Sequence, residues 1–298
     1  MSATTNYYVP AQSRLPILAS ISLFFMAFGA GGMLNESSYG SVMLIVGSLA
    51  MAAVVYNWFG KVIEESHQGL YSSQMDRSFR WGMSWFIFSE VMFFAAFFGT
   101  LFYVRNFAVP WLGGEGDKGV SNMLWEGFAA QWPLMDTPGE VASGEQGGSK
   151  FAGPAGIISP WALPLVNTIL LVTSSFTLTF AHKALVHGGT RESVIKWMWV
   201  TIVLGLVFLV CQGYEYYEAY THYGLTLQSG IYGATFFMLT GFHGAHVTLG
   251  TFMMIVITLR LMKGHFNAEN HFGFEATAWY WHFVDVVWIG LFLFVYVF

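Results

Sequence analysis

Charge is what this sequence has least of. Only 10% of its 298 residues are Asp, Glu, Lys or Arg, less than half the share with which a water-soluble domain coats its surface. The basic residues are scattered rather than clustered, which excludes the electrostatic footprint of a nucleic-acid-binding protein. Cysteine is nearly missing as well. Cys211 stands alone, so neither a disulfide framework nor a metal site built from several thiolates can form. The opening stretch MSATTNYYVPAQSRLP lacks the basic-then-apolar order of a cleavable signal peptide, and the first apolar run is expected to stay in the membrane as an anchor.

What is abundant is apolar, 55% of the chain, with 18% aromatic, and it comes in long blocks rather than short amphipathic stripes. Lipid is therefore the main solvent. A spanning helix takes about 20 mostly apolar residues. Seven segments qualify: Leu15–Leu34, Val42–Phe59, Trp81–Val104, Trp161–Ala181, Trp197–Tyr214, Ile231–Leu259 and Ala278–Phe298. The expected fold class is an all-α membrane protein. Alternate loops divide the basic residues unequally. Arg14, Lys61, Arg77, Arg80, Lys183, Arg191, Lys196, Arg260 and Lys263 collect on one side, and Arg105, Lys118 and Lys150 on the other. The positive-inside rule then places the N-terminus in the cytoplasm and the C-terminus outside, which requires an odd number of spans. Arg105 to Ser159 is the one long polar stretch, rich in Gly113, Gly114, Gly116, Gly147 and Gly148 and in Glu115, Asp117, Glu140 and Glu145. Its composition reads as a mobile outer loop, with Met123-Leu124-Trp125 and Trp132-Pro133-Leu134 able to rest on the membrane or a partner.

A few polar side chains interrupt the apolar runs. Glu90 lies halfway along the third, in WFIFSEVMFFAAFFG, where an ionised carboxylate costs roughly 2.5–3.5 kcal/mol on insertion scales. Its helix-face neighbours Phe86, Ile87, Phe93 and Phe94 offer no counter-charge. A buried carboxyl of this kind is either hydrogen-bonded to another helix or proton-active, and a hydrophobic carbodiimide is its natural probe. The sixth run holds GFHGAHVTLG. His243 and His246 are three apart and share a face, a spacing open to metal or haem ligation, but the small residues around them favour hydrogen bonding across a tight helix contact. His282 and Asp285 in AWYWHFVDVVW can meet, directly or through water. The Trp279-Tyr280-Trp281 cluster ahead of them reads as an interfacial belt. Glu215 and Glu218, among tyrosines in CQGYEYYEAY, read as interfacial hydrogen-bonding groups. No catalytic constellation and no metal site emerges from these residues. Arg260, Lys263 and His265 after the sixth run, and Lys61, Glu65 and His67 after the second, are either a solvated positive-inside signal or contacts to lipid phosphates.

The strings WFIFSEVMFF, QGYEYYEAY, ATFFMLTGFHGAHVTLGT and HFGFEATAWYWHFVDVVW, in this order, resemble the subunit III family of haem–copper cytochrome c oxidases along essentially the whole membrane portion. The resemblance implies a two-helix unit over 1–70, splayed from a five-helix bundle over 71–298 by a cleft filled with phospholipid. It implies a chain without haem or copper of its own, bound to catalytic subunit I, which carries the haems and one copper centre. The copper-bearing subunit II stands in the same complex, and cytochrome c is its electron donor. It further implies that Glu90 is the family's carbodiimide-reactive acid. Arg260, Lys263, His265 and Glu65 look like lipid head-group contacts, and His243, His246, His282 and Asp285 carry no ligand role. The 105–159 loop is longer than in mitochondrial relatives, which points to a bacterial inner membrane. The related subunit of a quinol oxidase is the nearest alternative, but it typically lacks the first two spans. A free-standing proton conductor using Glu90, His282 and Asp285, and a haem protein using His243 and His246, are the other classes open to these residues.

Overall fold

The computed structural model describes residues 8–9, 11–116, 120–144 and 152–298. Among the loop residues singled out above, Asp117, Lys118, Glu145, Gly147, Gly148 and Lys150 lie outside them. The described residues form nine α-helices: α1 (Leu15–Leu34), α2 (Gly40–His67), α3 (Ser73–Tyr103), α4 (Val109–Leu112), α5 (Pro138–Ser143), α6 (Leu163–Val186), α7 (Arg191–Thr221), α8 (Gly230–Met262) and α9 (Phe272–Leu291). Seven of them are long and apolar enough to cross a membrane: α1, α2, α3 with its continuation to Leu112, α6, α7, α8, and α9 with its continuation to Val297. The seven apolar runs thus correspond to seven helices. Most helices outrun the apolar segment that marks them. Hydropathy registers only the part dissolved in hydrocarbon, whereas backbone hydrogen bonding carries the helix on into its polar flanks, as at Ser73 and Arg191.

The chain resolves into two compact units, Met1–Trp81 and Gly82–Phe298, the division falling inside α3. In the first unit α1 and α2 pack as an antiparallel hairpin. The residues they bury are mostly small: Ser22, Gly29 and Gly32 on α1, Gly40, Gly47 and Val54 on α2. A Cβ on Gly47 would lie 2.7 Å from the backbone nitrogen of Met26, and one on Gly29 would collide with the backbone of Leu44. Such close approach is how helices associate where lipid removes the hydrophobic drive. The connecting turn places Glu36 at φ 56°, in the left-handed region that side chains other than glycine rarely enter. Large side chains elsewhere on the pair, Ile17, Phe24, Val42, Leu49 and Tyr56 among them, are exposed.

In the second unit α9 is the hub. Tyr280, Trp281 and Trp288 are fully enclosed, so Tyr280 and Trp281 are core residues and not an interfacial belt. The helix begins at Phe272, which sets Trp281 more than two turns inside. Trp281 fits against two glycines of neighbouring helices: a Cβ on Gly205 or on Gly250 would stand 2.9 Å from its ring. Its Nε1–H donates to Ser174 Oγ at 2.9 Å, and Trp288 does the same to Thr168 Oγ1, meeting the polar requirement of a buried indole.

The stretch after α3 is not the featureless loop that its composition suggests. A π-helical turn over Val104–Ala108 leads into α4. Pro110 explains it, because a prolyl ring clashes with the carbonyl four residues back and removes a donor. Further on, α5 starts with a capping box between Thr137 and Glu140. Glu140 Oε2 accepts from Thr137 N at 3.1 Å and from Gly153 N at 2.8 Å, tying together two parts of the loop. Val104, Val109, Phe128, Leu134 and Ile158 bury against Leu225, Tyr232, Phe236 and Phe237 in a second apolar cluster. The described part of the loop is a folded cap.

Candidate functional site

The polar groups of the spanning helices in the second unit fall into three sets. The first joins α3 to α8. His246 Nδ1 lies 2.6 Å from the Phe242 carbonyl oxygen, which can only accept, so this nitrogen carries hydrogen. Nε2 is then free for Glu90, whose Oε2 is 3.0 Å away. The counterpart that α3 does not supply to Glu90 comes from α8. The pair is not sealed in the protein interior: the side chains of His246 and Glu90 keep 15% and 21% of their surface accessible, so Glu90 is a carboxyl at the flank of the bundle. Phe93 and Phe94 pack around the imidazole. His243, three residues earlier, turns to a different neighbour. Its Nε2 is 3.1 Å from the Val284 carbonyl on α9, and its ring sits 5.0 Å from that of Trp288. The two histidines therefore do not converge on one point.

The second set lies between α6 and α9. His282 finds its partner on α6, where Ser175 Oγ is 2.5 Å from its Nδ1; Asp285, three residues further along α9, is buried. The sequence gives no sign of this, because Ser175 is one of many hydroxyls in LLVTSSFTLTF. Toward the end of the unit where α6 finishes and α9 starts, the rings of His182 and His271 are 5.4 Å apart.

The third set is enclosed where α7 passes the last turns of the chain. Glu215 is wholly buried. Tyr296 OH donates to Glu215 Oε1 at 2.5 Å and Gln212 Nε2 to the same oxygen at 3.3 Å. A signal was present: Thr201, Gly205, Phe208, Gln212, Glu215 and Ala219 recur at three- and four-residue steps, so Glu215 falls on the buried stripe of α7. Glu218 is off that stripe and half-buried.

The charged residues at helix ends are also placed. Arg260 lays its guanidinium over the Phe266 ring, 4.4 Å from the centroid, next to half-buried His265 and exposed Lys263. Arg191 joins this group unforeseen. Its Nε–H donates to the Leu261 carbonyl at 2.8 Å, and a second guanidinium nitrogen donates to the Met262 carbonyl, so a cation from the start of α7 caps the C-terminus of α8. In the first unit Tyr71 OH donates to Glu65 Oε2 at 2.9 Å. Burial and then the Glu65 carboxylate push this phenol well above its ordinary value. No group of three or more His, Cys, Asp or Glu among the described residues is arranged to hold a metal ion.

A family model for cytochrome c oxidase subunit III matches residues 5–116 and 141–298, the unmatched interval lying within the long loop. A curated relative from Equus caballus named cytochrome c oxidase subunit 3 is 36% identical over 98% of this chain and 97% of its own length. Its namesake in Prototheca wickerhamii is 35% identical over 97% and 96%, and that of Sus scrofa is 36% identical over 98% and 97%. With seven apolar helices and near end-to-end similarity to these proteins, the chain belongs to the cytochrome c oxidase subunit III family.

Proposed function

We propose that this chain is the non-catalytic integral subunit of an aa3-type cytochrome c oxidase, packed against the catalytic subunit and binding structural phospholipids. In this reading haem and copper reside in the partner subunits I and II, cytochrome c delivers the electrons, and this chain sustains proton uptake and turnover. The proposed setting is a bacterial inner membrane, with the N-terminus in the cytoplasm and the C-terminus in the periplasm, an orientation that the distribution of Lys and Arg supports.

The observation that carries the non-catalytic reading is the disposition of the histidines deep in α8 and α9. His243, His246 and His282 are committed to the Val284 carbonyl, to Glu90 and to Ser175 respectively, so no two of these three imidazoles address a common centre. Broad apolar faces on α1, α2 and α3, with Phe24, Leu49, Trp85 and Phe88 exposed, suit lipid tails and a membrane neighbour. Arg260 and Lys263 at one end, with Glu65 in the first unit, suit lipid head groups.

The test is to solubilise the native membrane gently, isolate the assembly through this chain, and record its subunits and visible spectrum. The expected result is haem A absorption that travels with two larger partners and leaves with them when this chain is stripped off. Stoichiometric haem or copper on the stripped chain would overturn the reading. A quinol oxidase would instead be marked by turnover with quinol and none with cytochrome c.

A further inference from the structure

The inner faces of α6, α7, α8 and α9 contain polar atoms that the protein itself does not satisfy. Asn167 on α6 is fully enclosed, yet neither its amide nitrogen nor its amide oxygen has a hydrogen-bond partner. The same is true of Asp285 Oδ1, His243 Nδ1, Gln212 Oε1 and Glu215 Oε2, on side chains that are each more than nine-tenths buried.

These atoms are close in level along the bundle. The bonds Ser175–His282 and Thr168–Trp288 fix the register of α6 on α9, which sets Asn167 beside Trp288, about one turn beyond Asp285. The Phe208 ring meets that of Trp288 at 4.7 Å, so Gln212 stands one turn further along and Glu215 follows it. His243, against Val284 and Trp288, lies at the level between. Asn167 therefore occupies the middle of an interval of roughly 10 Å, at 1.5 Å per residue, from Asp285 to Gln212. On the far side of Asp285, Ser175, His282 and His182 lead to the end of the unit where α9 begins.

A buried amide stranded at both ends is costly, and native interiors meet such groups with a protein partner or with ordered water making two to four hydrogen bonds. We propose that the seam between α6, α7, α8 and α9 holds a file of internal water molecules from Asp285 past Asn167 to Gln212 and Glu215. Along this file the two carboxyls exchange their protons with bulk water. Each hop passes one proton from an oxygen to its neighbour while another arrives behind it, so every group ends in its starting protonation state. Asn167 anchors the file between its two halves: its amide oxygen accepts from one water and its N–H donates to another, while the proton itself passes from water to water and leaves the amide unchanged.

Two measurements on the assembly purified through this chain test the proposal. High-resolution density should show ordered water within hydrogen-bonding distance of both Asn167 amide atoms and of Asp285 Oδ1. A direct amide-to-amide bond between Asn167 and Gln212, or a dry apolar contact at Asn167, would overturn it. Infrared spectra should give carboxyl bands removed by Asp285→Asn and by Glu215→Gln, both shifting in heavy water. Asn167→Leu should slow the shift of at least one band by about tenfold, the rate factor of one lost hydrogen bond, whereas Asn167→Ser, smaller but polar, should not. Equal exchange in the wild type and both variants would defeat the idea. Should Asn167→Leu fail to assemble, the wild-type density decides alone.

Discussion

His246 and Glu90, on different helices and 156 positions apart in sequence, share a hydrogen bond of 3.0 Å between Nε2 and Oε2. Because His246 Nδ1 is occupied in donating to the Phe242 carbonyl, the contact to Glu90 can be made in two ways. Either a carboxylic acid donates to a neutral imidazole, or an imidazolium donates to a carboxylate.

The two arrangements respond differently to substitution. In Glu90→Gln the amide donates to His246 Nε2 much as a carboxylic acid would, and the change should cost under about 1 kcal/mol. Loss of a charge partner would cost several times more, about 3–5 kcal/mol. Glu90→Leu should cost about 1–3 kcal/mol by stranding the imidazole nitrogen. Retention of this chain in the assembly through a detergent titration reads all three forms, and a Gln variant as weak as the Leu variant would show the pair to be ionic.

Ser175 and Ser174 both tie α6 to α9 through their hydroxyls. Ser175→Ala removes the hydroxyl that meets His282 Nδ1 and should cost about 1–3 kcal/mol, the price of leaving a buried polar group unmet. Ser174→Ala removes the acceptor of Trp281 Nε1 and a donor to the Leu171 carbonyl, and it should cost at least as much, because the indole N–H it strands is fully buried. Thermal unfolding of the purified assembly in one detergent ranks the two. A Ser174→Ala variant clearly milder than Ser175→Ala would mean that the Trp281 indole finds another acceptor.

Glycines on α7 provide a packing test with an internal control. A Cβ at Gly205 would meet the Trp281 ring at 2.9 Å and Thr251 Oγ1 at 3.1 Å, whereas one at Gly213 meets nothing within 4 Å. Gly205→Ala should therefore destabilise by about 1–3 kcal/mol through overpacking. Gly213→Ala should be neutral or stabilising by up to about 1 kcal/mol, because alanine is the better helix former. The same thermal measurement decides, and a harmless Gly205→Ala would show that the Trp281 ring has room to move.

What could be read from the residues and what could not divide along one physical line. The existence of seven spans follows from apolar runs, because solvation by lipid is a local property of each segment. Partnerships are not local. That His246 faces α3 while His243 faces α9, or that Ser175 meets His282, depends on the rotation of one helix against another, which an all-round apolar helix leaves unmarked. Two partnerships do leave a mark in the spacing. The buried stripe of α7 carries Glu215 inward at three- and four-residue steps, and Thr137-Pro138-Gly139-Glu140 is a capping box with proline in the first turn, a helix start inside a stretch whose composition alone reads as a loop.

That capping box predicts how the cap comes apart. Glu140 Oε2 receives hydrogen from Thr137 N, Thr137 Oγ1 and Gly153 N. A hydrogen bond to a charged acceptor contributes about 1.5–3 kcal/mol, and the one from Gly153 is the link between α5 and the chain that returns to α6. Glu140→Ala should raise amide exchange at Gly153 and through Pro138–Ser143, while the spanning helices keep their protection. Glu140→Gln retains an acceptor and should be intermediate. If exchange in α5 is unchanged by Glu140→Ala, the apolar cluster of Phe128, Leu134 and Ile158 holds the cap without it.

The phenol of Tyr71 supplies the pH dependence outside the membrane. Its ionisation is raised by burial first and by the Glu65 carboxylate second, so the folded value stands above the unfolded one, near the usual 10. For a group raised on folding, the stabilisation is complete below the unfolded value and is lost as pH climbs from there through the folded value. The Tyr71–Glu65 bond should therefore be intact at neutral pH and still closed at about pH 10, where an ordinary tyrosine is half ionised. Ultraviolet titration of wild type against Tyr71→Phe tests this. The two should give the same tyrosinate signal through that range and separate only at higher pH, with the wild type gaining the extra phenolate. A difference already present at about pH 10 would mean that Tyr71 titrates as an exposed phenol and that Glu65 is not its acceptor in solution.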